Sequence, residues 1–396
     1  MADRQRVLVA FGTRPEAIKM APVVRELEAR ADRFRTVVAV TGQHREMLDQ
    51  VLEHFGITPD HDLHIMTPRQ TLTEIALRGL AGLDRVLAGE RFDLVLVHGD
   101  AATSFLGSLA AFYHRVPVGH VEAGLRTHKR YSPFPEEMNR RLADVLADVH
   151  FAPTTGARDN LLREGIGPRG IYVTGNTAID ALLWTAGDDR RPAEPGEPRL
   201  ILVECHRREN WGPPLDRIFG ALAELARRRD DIRLVVSVHR NPEVAGTAGR
   251  RLGGQPRVVL RDPLPYPEWA ALLGQAHFLV TDSGGVQEEA PALGVPVILC
   301  REDTERPEAR DAGTVRLVGS DAGALLDLAE TLLDDAAEHD RMARAVNPYG
   351  DGQAARRTVD GLEHFLGLRA EPPEDWRPVI ASRRISPGPH GTATGG

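Results

Sequence analysis

Short apolar runs alternate with longer helical patterns along most of this chain, and that alternation restricts the fold more than any other feature. Residues 7–11 read as a buried strand and 15–30 as a helix, 36–40 as a strand and 46–55 as a helix. Residues 94–97 then read as a strand, 103–113 as a helix and 116–121 as a strand. Such alternation builds βαβ units, a parallel sheet with helices on both faces. A polar stretch rich in Pro and Gly, 186–198, interrupts the pattern and reads as a linker. Strands resume at 200–203, 234–238, 258–260, 278–281 and 295–299, with helices between and a last helix at 354–366. The expected fold is α/β, with two doubly wound Rossmann-like domains over 1–185 and 199–350, a helical segment at 351–369 and a disordered tail at 370–396. Two such domains leave a cleft between the carboxyl ends of two sheets, where a ligand is expected to bind.

Composition narrows the function. The net charge is −8 and the basic residues are scattered, which argues against a nucleic-acid partner but not against one small anion. The two cysteines, Cys205 and Cys300, are too few for a disulfide framework and lack zinc-ligand spacing. The apolar stretch near the start is too short for a signal sequence, and no window approaches the ~18 apolar residues of a membrane span. A cytoplasmic enzyme with no membrane partner and no metal is the expectation. Arginine replaces lysine everywhere except at Lys19 and Lys129, which draws attention to Lys19 beside the first motif.

Five segments carry candidate chemistry. In FGTRPEAIK, Gly12 permits a tight turn, Pro15 suits the first helical position, and Arg14 and Lys19 add charge to a helix N-terminus, an anion site. In TDSGGVQEE, Ser283, Gly284 and Gly285 let backbone N–H groups approach a pyrophosphate, and Glu289 could accept ribose hydroxyls. Arg306 in TERPE is a further ligand-facing charge. Asp100 and Glu122 end adjacent strands, and Glu136 opens a helix after YSPFP. Carboxylates converging on one cleft are expected to raise one another's pKa. His206 follows the first strand of the second half and could bind phosphate or move a proton. Neither an NAD fingerprint nor a P-loop occurs.

These segments, with TGQHREMLDQVL, HVEAGLRT, HRREN and NPYGDG, resemble the non-hydrolysing UDP-N-acetylglucosamine 2-epimerases over roughly residues 6–366. The resemblance implies the two-domain fold shared with GT-B glycosyltransferases, a last helix crossing back to the first domain, a homodimer and no cofactor. It implies that Asp100, Glu122, Glu136 and His206 are catalytic. It also implies that Arg14, Lys19, Trp269, Ser283, Gly284, Gly285, Glu289 and Arg306 hold the UDP-sugar substrate, with a backbone contact at Leu264. A second, activating substrate pocket would involve Gln43, Glu46, Arg69, Glu136, Arg207 and His239. Three departures stand out. Glu204-Cys205 precedes His206 where the family usually has Thr-Gly or Thr-Ala, Ala101-Ala102 replaces threonines, and Glu46 replaces the glutamine usual in substrate-activated members.

The implied reaction is reversible inversion at carbon 2 by elimination of UDP to a 2-acetamidoglucal and re-addition. Asp100 would serve one face and Glu136 the other, with Glu122 tuning them. A hydrolysing epimerase, an epimerase acting on another UDP-hexose, a GT-B glycosyltransferase and an inactive nucleotide-sugar sensor remain as alternatives.

Overall fold

The computed structural model describes residues 4–42, 45–67, 69–187, 196–302, 304 and 306–378. Two parallel sheets organise the chain. The first holds β1 (Gln5–Phe11), β2 (Phe34–Val40), β3 (His61–Asp62), β4 (Leu94–His98), β5 (Val118–Val121), β6 (Val149–Ala152) and β7 (Ile171–Val173), in the order β3-β2-β1-β4-β5-β6-β7. The second holds β8 (Arg199–Glu204), β9 (Ile232–Ser237), β10 (Val258–Arg261), β11 (Ala276–Thr281), β12 (Val297–Leu299) and β13 (Val315–Leu317), in the order β10-β9-β8-β11-β12-β13. All strand pairs are parallel and helices cover both sheets, so the molecule is α/β with two Rossmann-like halves. Strand order reverses between β1 and β4 and again between β8 and β11, and each reversal opens a crevice outside the strand ends.

The strands are apolar on both faces because helices bury both: Val7, Leu8, Val9, Ala10 and Phe11 are all fully buried. Burying each large side chain contributes about 1.5–3 kcal/mol before entropy is counted. Two strands are shorter than the sequence suggests. The 116–121 and 295–299 runs contain Pro117 and Pro296, which have no N–H to donate, and pairing begins just after each. β3, β6, β7 and β13, of two to four residues, were not expected from the sequence.

The last helix, Ala354–Phe365, lies against the first sheet rather than the second. Gly361 packs so closely on Phe151 and Tyr172 that a Cβ would stand 3.0–3.1 Å from their rings. Asp180 accepts the Ala354 and Ala355 N–H groups at 3.2 and 2.8 Å, capping the helix from the first half of the molecule. Arg30 pairs with Asp360 and Glu363.

The segment read from composition as the start of a disordered tail is ordered as far as residue 378. Trp376 is buried, donates its backbone N–H to Val173 (2.7 Å) and its indole N–H to Pro348 (3.1 Å). A large apolar ring with a satisfied polar edge outweighs the proline-rich context. Residues 188–195 of the expected linker and 379–396 of the expected tail lie outside the described residues. No helix among the described residues is long and apolar enough to cross a membrane.

Candidate active site in the interdomain cleft

A cleft of about 520 Å³ opens between the two reversals. Its walls include Arg14, Lys19, Asp100, Glu122, Glu136 and Arg140 from the first half, and Glu204, Arg207, Trp269, Ser283, Glu289 and Arg306 from the second.

The loop after β1 is built differently from its sequence reading. Gly12 is needed for close approach: a Cβ there would fall 1.9 Å from Thr41 Oγ1 and 2.4 Å from Thr103 Oγ1. Thr13 and Glu16 form a capping box, and the Glu16 carboxylate takes the Gly12 and Thr13 N–H groups at 3.0 and 2.8 Å. This helix therefore does not offer those N–H groups to an anion, and the loop contributes to the cleft through Arg14 and Lys19. Burial pushes the Glu16 carboxyl up to about 7. Arg14 spans the cleft to the Leu264 carbonyl at 3.2 Å.

Asp100 and Glu122 follow the adjacent strands β4 and β5, side by side as expected. Glu122 is not raised as expected. Lys19 bonds Glu122 and Arg140 bonds Asp100. Burial works against the Glu122 charge, but Lys19 and His98 outweigh it and hold the carboxyl well below its usual range. His98, at 3.4 Å, is itself pushed down to about 4, chiefly by burial. Glu122 sits at φ +64, a left-handed conformation uncommon for glutamate that turns the chain at the strand end. Glu136 begins the helix Glu136–Leu146 and faces the cleft with no partner among the described residues, whereas Glu137 is buried and caps Thr127 and His128.

In the second half, Thr281, Asp282, Ser283, Gly284 and Gly285 leave β11 beside the end of β8. The Ser283 N–H is taken by Thr281 Oγ1 at 3.0 Å, and the Gly284 and Gly285 N–H groups have no acceptor among the described residues. The helix they open, Val286–Glu289, is only four residues long, so its dipole is small and the anion site depends on N–H groups and side-chain cations. Asp282 is fully buried and accepts from the His206 and Arg207 N–H groups and from Asn210. This fixes the β8 loop. The His206 ring stacks on His239 at 5.3 Å and does not line the cleft, and burial lowers its pKa. Burial raises Glu289 to about 8, with Lys19 opposing and Glu288 and Glu204 adding. Arg306 bonds Glu288, whose other oxygen receives Asn176 at 2.5 Å. The same Asn176 amide donates to Glu122 at 2.9 Å. Trp269 is buried at the far end with Leu264 and Tyr266.

The positions suggested for a second pocket scatter. Glu136 and Arg207 line the main cleft, and His239 lies on His206. Arg69 is on an exposed loop at φ +61 and does not line the cleft. Glu46 lies in the helix Arg45–Phe55, its side chain outside the described residues, and Gln43 is outside them altogether.

Sequence reasoning missed Arg140, Asn176, Asp282 and Glu288. Two of them stand inside quoted motifs, but the partners named above lie 18 to 112 residues away. Chemically the cleft combines a cationic end, suited to a diphosphate, with carboxylates that could move protons on a neighbouring group.

The family profile described as UDP-N-acetylglucosamine 2-epimerase matches residues 25–363. A UDP-N-acetylglucosamine 2-epimerase of Bacillus subtilis is 50% identical over 374 residues, covering 94% of this chain and 98% of the relative. That of Escherichia coli is 51% identical over 371 residues, covering 91% and 98%. A solved Neisseria meningitidis UDP-GlcNAc 2-epimerase, bound to UDP-GlcNAc, superposes with a TM-score of 0.83 at 45% identity, over 90% of this chain and 99% of that one.

Proposed function

The chain belongs to the UDP-N-acetylglucosamine 2-epimerase family, and from that premise we propose that it interconverts UDP-N-acetylglucosamine and UDP-N-acetylmannosamine without hydrolysis. The observation that carries this reading is one cleft in which Arg14, Lys19 and Arg306 adjoin Asp100, Glu122 and Glu136. Carbon 2 of a hexose has no neighbouring carbonyl, so its hydrogen is barely acidic. It becomes removable once UDP leaves carbon 1 with the bonding pair and the sugar gains oxocarbenium character. The cations and the Gly284–Gly285 N–H groups stabilise the departing diphosphate. One carboxylate takes the carbon 2 proton, giving the 2-acetamidoglucal. Another delivers a proton to the opposite face as a UDP oxygen rebonds to carbon 1. We assign the two faces to Asp100 and Glu136, with the buried Glu122–Lys19 pair as fixed charge between them. His206 acts through the loop it shares with Arg207.

Proton NMR in deuterated water tests this. UDP-N-acetylmannosamine should appear, with deuterium at carbon 2 of both sugars and no stoichiometric UDP. Free N-acetylmannosamine rising in step with UDP would instead identify a hydrolase. We also propose a homodimer. Leu77, Phe112 and Val145 are exposed on three helices packed side by side, Leu72–Gly89, Ala102–Tyr113 and Glu136–Leu146, with the second between the other two. Light scattering should give twice the 43.4 kDa chain mass, and a monomer would remove this part.

A further inference from the structure

Glu204 ends β8, and its register partner is Thr281, so it stands beside the Asp282–Gly285 turn. It lines the cleft, and its Oε2 is buried with no hydrogen-bond partner among the described residues. Among the described residues the only basic nitrogen paired with it is His206 Nδ1, at 3.9 Å, on a ring whose burial disfavours the charged form. Arg14 faces Glu204 from the first helix and Arg207 from its own loop. Asp282 faces it from the end of β11 and Glu289 from the short helix beyond. The Tyr266 hydroxyl, also buried and unpartnered, lies near Arg14. The cleft thus places an unpaired carboxyl next to the N–H groups and cations that would receive a diphosphate.

We propose that Glu204 meets the diphosphate of the bound nucleotide sugar as an uncharged acid, donating its proton to a phosphate oxygen, so that binding carries one proton into the cleft. The proposal rests on the ligand being a UDP-sugar. Two anionic oxygens cannot share hydrogen-bond distance without a proton between them, and an O–H···O⁻ contact is among the stronger hydrogen bonds. The cleft's own residues already lean that way. Burial raises Glu204 to about 7 and Asp282 adds to it, with Arg14 and Arg207 opposing. An arriving diphosphate draws Arg14 to itself and adds negative charge, and both changes favour the protonated form further.

The test is isothermal titration of UDP-N-acetylglucosamine into the wild type and Glu204→Gln, in buffers of different ionisation enthalpy. The ligand's diphosphate diester does not titrate between pH about 6 and about 8.5, and Glu289 is common to both proteins, so it largely cancels in the difference. Near pH 8 the wild type should take up about one more proton per ligand than Glu204→Gln. Its affinity should also fall about tenfold more than the variant's between pH about 6.5 and about 8.5. Glu204→Thr, smaller and also neutral, should behave as Glu204→Gln does and covers a misfolded glutamine variant. Equal proton uptake in wild type and variants overturns the inference alone. No binding of UDP-N-acetylglucosamine by the wild type overturns it together with the functional reading.

Discussion

The two walls of the cleft handle their carboxylates in opposite ways. On the first wall, Glu122 and Asp100 are held by Lys19 and Arg140 before any ligand arrives. On the second, Glu204 Oε2 and the Glu289 carboxylate have no hydrogen-bond partner among the described residues and are pushed towards neutrality by burial. Asp282 and Glu288 lie between these cases, fully occupied in fixing the loop and Arg306. The contrast teaches that the first wall is a preset charge pattern, suited to proton transfer, while the second is completed by what binds. A preset pattern costs no reorganisation during reaction, and an incomplete one gains selectivity because its loose polar groups must be matched. Glu136 is the exception on the first wall, unpaired and facing the cleft, as a group would be whose partner is the substrate.

Breaking the first wall should have the largest effect. Asp100→Asn and Glu136→Gln should each lower turnover about 10²–10⁴-fold with little change in melting temperature. Deuterium exchange into each sugar separately should show which face each variant has lost. Full turnover by Asp100→Asn would refute its assignment. Lys19→Met should cost about 3–5 kcal/mol of stability, read by denaturant unfolding, because it leaves the Glu122 carboxylate buried without its cation. Glu122→Gln in the same background should restore much of that loss, and failure to do so would show the pair is not the cause. On the second wall, Glu289→Gln should leave stability nearly unchanged and weaken UDP binding by up to about tenfold, the worth of one hydrogen bond. The smallest effect should come from Tyr349→Phe. It removes a hydroxyl that donates to the Arg306 carbonyl at 3.2 Å and accepts the Ala309 N–H at 3.3 Å. About 1 kcal/mol of stability should go with it.

Much of this was legible in the sequence where signals are local. The long apolar strands and the glycine-rich turn after β11 follow from patterns of a few residues. What stayed hidden was long-range or compensated. β6 is four residues containing His150, a poor strand signal until its ring reaches the Asp144 carbonyl at 2.8 Å. The expectation of a raised carboxyl failed at Glu122 because Lys19, its cation, sits 103 positions away, as the Arg140 that binds Asp100 sits 40 away. Spacing shows that acids converge and says nothing of which cations converge with them. The tail misled for a related reason, since one tryptophan among prolines suffices to dock a segment.

The last helix gives the molecule a mechanical property. The chain passes from one half to the other twice, once between residues 187 and 196 and once after Asn347, where the Tyr349 carbonyl takes the Asn176 N–H at 2.6 Å. A door hung on two pins can swing but neither slide nor twist away. Two crossings would restrict any opening of the halves towards a single angle, and a reactive sugar held between them would escape only through that opening. Under the proposed chemistry, leakage becomes a race between the swing and the return of UDP, and loosening either pin should tilt the race towards loss.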